Sequence, residues 1–159
     1  MMLFDEQSDV KTGPITDPLP PTTTTVPTID VCFCPFHPGN FMEQACQQQW
    51  ISKGEVLAVK QVTWKGETEN IYTVNHLEIF RGGATLSSRL LSPTLCGVKL
   101  NINRTYLLSG SFIRKTKKLT SGGCFSLDGG QTLWSKVHVN QQKELEQIKC
   151  PTGTTIPPP

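Results

Sequence analysis

The chain has 159 residues, enough for one domain of ordinary size and too few for two. Fifteen basic and thirteen acidic side chains nearly cancel, leaving a formal charge of +2, which calls for neither a nucleic acid nor an anionic membrane as partner. No apolar run reaches the length needed to cross a bilayer, so no membrane span is expected.

Residues 1–31 hold Thr16-Asp17-Pro18-Leu19-Pro20-Pro21 and the threonines 22–25, a composition that cannot build a core and predicts a disordered extension. The start, Met1-Met2-Leu3-Phe4-Asp5-Glu6, lacks the basic and apolar regions of a secretion signal. A Pro- and Thr-rich tail, residues 151–159, has the same character, and the expected globular domain is therefore 32–150. Gln44 to Trp50 suits a short helix leading into a first strand at Val56–Trp64, closed by the turn Lys65-Gly66-Glu67. Ile71–Phe80 reads as a second strand, with Tyr72, Val74 and Phe80 on one face and polar His76 and Glu78 interrupting it. Thr85–Leu91 and Thr105–Gly110 read as a third and a fourth. Phe112-Ile113 and Leu119-Thr120 flank a basic turn that would extend the fourth strand into a hairpin. The one clear helix is Gln141–Ile148, with Asn140 as its cap and Leu145 and Ile148 on one stripe. Some five strands with helices at the edges predict an all-β chain folded as a small closed barrel.

Six cysteines, Cys32, Cys34, Cys46, Cys96, Cys124 and Cys150, offer no C-x-x-C or paired histidine for zinc, and their even number suits three disulfides formed in an oxidising compartment. Six cysteines allow fifteen pairings, and spacing does not choose among them. No acid–base pair or nucleophile constellation suggests an enzyme, and no cofactor is expected. A Cys–His nucleophile would need a free thiol, which the even number disfavours. His37 suits a turn with Pro38, and His76 and His138 have no ligand partner nearby in sequence.

Cys32-Phe33-Cys34-Pro35-Phe36-His37-Pro38 resembles the C-x-C start of the tissue inhibitors of metalloproteinases. The likeness extends through Cys46, Ile79-Phe80-Arg81-Gly82, Leu95-Cys96-Gly97, Tyr106-Leu107-Leu108-Ser109-Gly110, Cys124 and Cys150, nearly all of 32–150. The resemblance implies an OB-type, netrin-like barrel with disulfides Cys32–Cys96, Cys34–Cys124 and Cys46–Cys150. Each would stabilise by about 3–5 kcal/mol in the chain-entropy model. It also implies a secreted, extracellular-matrix inhibitor of zinc metalloendopeptidases of the matrix metalloproteinase type. The α-amino nitrogen and carbonyl oxygen of Cys32 would chelate the target's zinc. Phe33 would enter the specificity pocket, Cys34, Pro35 and Phe36 would lie along the cleft, and Ser92-Pro93-Thr94-Leu95 would complete the ridge.

This sequence departs from the family in three ways. Val31 precedes Cys32, so chelation requires cleavage between them. The family usually has Ser or Thr where Phe33 stands, and its second disulfide domain does not follow Cys150 here. A netrin-like extracellular binding module without inhibitory action is the alternative. A nucleic-acid-binding OB barrel would need more exposed aromatics in a basic groove. Two accessory features remain. Arg114-Lys115-Thr116-Lys117-Lys118 is either a solvated turn or a site for heparin-like polyanions, and Asn103-Arg104-Thr105 is an N-glycosylation sequon.

Overall fold

The structure, a computed structural model, describes residues 32–35 and 39–152. The extension 1–31, Phe36, His37, Pro38 and the tail from residue 153 lie outside the described residues.

Five strands close into a barrel: β1 (Trp50–Trp64), β2 (Glu67–Arg81), β3 (Arg89–Pro93), β4 (Thr105–Phe112) and β5 (Leu119–Thr120). The order around the ring is β1-β2-β3-β5-β4, returning to β1. All neighbours are antiparallel except β3 and β5, which run parallel through Leu90 opposite Leu119 and Leu91 opposite Thr120. This is the small closed barrel that the strand runs predict, with the five strands of the OB type that the family resemblance implies. Two short helices flank it, α1 (Phe41–Gln47) and α2 (Val139–Glu146). Among the described residues no helix is long and apolar enough to cross a membrane.

The barrel interior is filled by side chains that include Trp50, Val56, Tyr72, Val74, Leu90 and Leu108. A second cluster, Ala45, Ile51, Leu107, Leu127, Val137 and Leu145, lies between strands and helices. Ile51 and Leu107 join this cluster while Trp50 and Leu108 join the first, the alternation that pleated strands impose. Gly110 makes closure possible. A Cβ there would sit 1.8 Å from the Thr120 carbonyl oxygen, so any side chain would push β4 from β5.

Elements begin and end where local chemistry decides. Asn40 caps α1 in a reciprocal capping box with Glu43, and the helix stops at Gln47 because Trp50 already belongs to β1. Helix α2 starts one residue before the expected Asn140 cap, because the His138 ring accepts a bond from the Asn140 backbone N–H and Gln141 bonds back to His138. Strand β1 extends upstream of Val56 through Lys53-Gly54-Glu55. Gly54 admits the close approach of Leu108 and Val74, each 2.7 Å from where a Cβ would stand. Register shifts at Ile51/Ser52, Lys53/Gly54 and Val56/Ala58 bend this long strand around the barrel. Its outer part, Leu57–Trp64, is exposed. It pairs with β2 on one side and, among the described residues, with no strand on the other.

Strand β3 starts at Arg89 rather than Thr85, because the preceding loop is latched from inside the barrel. His76 Nε2 lies 2.9 Å from the Ser87 carbonyl oxygen, which can only accept, so Nε2 carries the proton. Nδ1 then accepts from the buried Ser52 hydroxyl at 2.8 Å, and Trp50 meets the ring edge-on. Burial holds His76 below the ordinary value of 6.5, although the bond to Ser87 opposes the shift. A histidine lowered in the fold binds its proton first in the unfolded chain. Its contribution to stability is therefore complete above pH 6.5 and shrinks as the pH falls from there toward the folded value. Urea midpoints should decline between pH 7.5 and 5.5, and a His76→Gln variant should lose that part of the decline. A wild-type midpoint unchanged over this interval would contradict the neutral ring.

Candidate functional site

Two disulfides hold the first described residues on the barrel. Cys32 joins Cys96, with Cα atoms 5.5 Å apart, and Cys34 joins Cys124, with Cα atoms 5.0 Å apart. Phe33 stands between them and is 90% exposed. A residue bracketed by two cross-links has little freedom to withdraw, so a large apolar ring is displayed to solvent. Cys34 and Pro35 are exposed beside it and Cys32 is half-buried. The third bridge, Cys46–Cys150, ties α1 to the segment after α2. The pairing that the family resemblance implies is thus the pairing present.

The second part of the expected ridge follows β3. Pro93 ends the strand opposite Glu69 and is exposed. Thr94 is half-buried and anchored twice to the Thr68 carbonyl oxygen, by its backbone N–H at 3.1 Å and its hydroxyl at 2.9 Å. Leu95 is 59% exposed. Cys96 takes the left-handed conformation at φ 58°, and Gly97 must follow it, because a Cβ there would lie 1.7 Å from the Pro93 carbonyl oxygen. Ser92 differs from its expected place in a contact ridge. It is fully buried, its hydroxyl donating to the Ser121 carbonyl oxygen at 2.7 Å and accepting from the Val98 N–H at 2.8 Å. Ser92 therefore supports the segment from beneath. Phe36, the remaining ridge candidate, lies outside the described residues.

A third segment lies beside these two, and sequence reasoning passed over it. Gly123 donates its N–H to the Cys96 carbonyl oxygen at 2.9 Å, bringing residues 122–125 beside 94–97. Below them lie further hydroxyls. Ser126 donates to the Gly122 carbonyl oxygen at 2.6 Å and meets Ser121 at 2.6 Å, while Ser109 accepts from the Leu127 N–H at 2.7 Å. Phe125, next to the bridged Cys124, is 67% exposed. No periodicity marks it, and the Cys34–Cys124 link ties its segment to that of Phe33. A cavity of about 320 Å³ opens beside both bridges, lined in part by Thr94, Gly97, Lys99 and Gln131.

Among the described residues no group of three or more His, Cys, Asp or Glu gathers to hold a metal ion. The backbone nitrogen of Cys32 is an amide while Val31 is attached, and an amide nitrogen has no lone pair to offer a metal. The accessory candidates lie elsewhere. Asn103 is exposed in a left-handed turn at φ 60° ahead of β4, its N–H bonded to the Val56 carbonyl oxygen at 2.7 Å. Arg114, Lys115 and Lys117 are exposed and Lys118 half-buried on the β4–β5 turn, at the end of the barrel where β2 and β4 finish. Beside this turn a groove of about 600 Å³ is lined by Arg114, Lys117, Thr85 and Ser87, with no carboxylate among its lining residues.

Compared with known proteins, the chain matches no protein-family model and no curated protein.

Replacing Ser92 with Ala would leave the buried Val98 N–H without its acceptor, which costs about 1–3 kcal/mol. Ser92→Ala should lower the urea midpoint accordingly with an unchanged m-value, and an unaltered midpoint would show that Ser92 does not support the ridge.

Proposed function

We propose that this chain is an inhibitor of zinc metalloendopeptidases, resembling the tissue inhibitors of metalloproteinases, and that it acts by chelating the target's zinc through a Cys32 freed at its amino terminus. The observation that carries the reading is the pair of disulfides on either side of an exposed Phe33. Inhibitors gain affinity when the contacting segment is rigid before binding, because less conformational freedom is then lost. Here the segment is cross-linked twice to a closed barrel and supported by the bonds around Ser92 and Thr94.

A catalytic zinc keeps one position open for water. A free α-amine titrates near pH 8, so a useful neutral fraction exists at physiological pH to fill that position beside the Cys32 carbonyl oxygen. Phe33 would descend into the pocket next to the metal and, being bulky, select targets whose pocket is deep and apolar. Pro93 and Leu95 would contact the cleft on the neighbouring side. Phe36 belongs to the same ridge in this reading. The protein acts as a binding protein rather than an enzyme, and its three disulfides fit a secreted, extracellular setting. Exposure of the Asn103 sequon suits glycosylation there, and heparin-like polyanions are a second class of partner for the Arg114–Lys118 turn.

The residues preceding Cys32 favour a second reading. While Val31 is attached, the module can bind matrix or other secreted proteins through the same surface without blocking a protease.

Protein engineered to begin at Cys32 should inhibit a matrix metalloproteinase catalytic domain, and the same protein with one Ala ahead of Cys32 should not. Equal inhibition by both forms would rule out chelation. Inhibition by neither would leave the binding module.

A further inference from the structure

We infer that Phe125 is a specificity-determining contact, the third apolar member of the surface that meets the target, together with Phe33 and Leu95. The inference rests on the protease-inhibitor reading and adds a residue that the family resemblance does not supply for this chain.

Covalent geometry carries the argument. Leu95 neighbours Cys96, which is bonded to Cys32, and Phe125 neighbours Cys124, which is bonded to Cys34. Consecutive Cα atoms are separated by about 3.8 Å, and the bridged Cα pairs by 5.5 and 5.0 Å. The Cα atoms of Leu95 and Phe125 therefore each lie within about 13 Å of that of Phe33. Three large apolar side chains, 59%, 90% and 67% exposed, are thereby gathered around two adjoining disulfides. Interface hot spots have this character, since aromatic side chains bring large contact area to a small central patch.

The patch is also built as one piece. The Gly123 N–H to Cys96 carbonyl bond couples the Phe125 segment to the Leu95 segment. The Phe125 N–H bonds the Gly122 carbonyl oxygen at 3.2 Å, and Ser126 bonds the same oxygen at 2.6 Å, so the backbone carrying Phe125 is held in a closed turn. Phe33 is thus tied to the Leu95 segment through one bridge and to the Phe125 segment through the other. A partner that receives Phe33 in a pocket meets Leu95 and Phe125 around it. The partner is a metalloendopeptidase whose cleft is apolar around the pocket, and targets with a polar wall facing Phe125 are disfavoured.

The test uses protein beginning at Cys32, titrated against the catalytic domain of a matrix metalloproteinase, with Phe125→Ala, Phe125→Leu and Phe33→Ala variants. Phe125→Ala should raise the inhibition constant about tenfold, the ordinary loss for a truncated aromatic anchor. Phe125→Leu should stay within about threefold of the parent because it keeps an apolar contact. The inhibition constants are compared at a temperature well below the thermal midpoint of each variant, so that a loss of stability does not pass for a loss of contact. If the parent inhibits and Phe125→Ala inhibits equally well, this inference alone falls. If the Leu variant is as weak as the Ala variant, Phe125 is not an apolar contact and the inference is overturned. If the parent does not inhibit at all, the protease reading falls and takes this inference with it.

Discussion

The Cys32–Cys96 and Cys34–Cys124 bridges impose the constraint from which the other features of the candidate site follow. They span 64 and 90 residues, so each removes from the unfolded chain a freedom worth about 4–5 kcal/mol in the chain-entropy model. They also attach an irregular segment to two different loops of the barrel. Phe33 is then fixed in space although it belongs to no helix or strand. The buried hydroxyls beneath act in the same direction. Ser92 joins the Val98 N–H to the Ser121 carbonyl, and Ser109 receives the Leu127 N–H, so the loop that carries Cys96 is bonded to β3, which it leaves, and the loop that carries Cys124 is bonded to β3 and β4.

The barrel was readable because its strands carry their own signals. Tyr72 and Val74 alternate inward, Leu107 and Leu108 face opposite clusters, and the basic turn between Phe112 and Leu119 closes a true hairpin. Boundaries were less legible where a side chain does an unusual task. His138 is a rare helix cap, so the start of α2 was expected at Asn140. Lys53-Gly54-Glu55 looks like an interruption, yet Gly54 is what permits the strand to pass Leu108 and Val74. The Asn40-to-Glu43 capping box is present in the sequence, but the weakly apolar run after it gave no clear period, and α1 was expected some residues later. The loop before β3 read as strand because nothing local reports that His76 grips Ser87 from the barrel interior.

The site divides in the same way. Phe33, Pro35, Pro93 and Leu95 were identified from a resemblance and are exposed as a contact surface requires. Ser92 was identified on the same ground but faces inward, since it still belongs to β3 and alternates inward with Leu90. Phe125 had no signal of its own. It gains its position from a covalent link between residues 90 apart, and such proximity is invisible to any local pattern.

The outer half of β1 has a consequence of another kind. From Leu57 to Trp64 it offers a run of backbone hydrogen-bonding groups that, among the described residues, meet no strand on that side, with Trp64 73% exposed and Lys60 as the only charge in the run. Unprotected sheet margins recruit further strands, and charged side chains are a common defence against this. One ammonium group therefore guards eight positions, and among the described strands this margin is where self-association by strand addition meets little charge to oppose it.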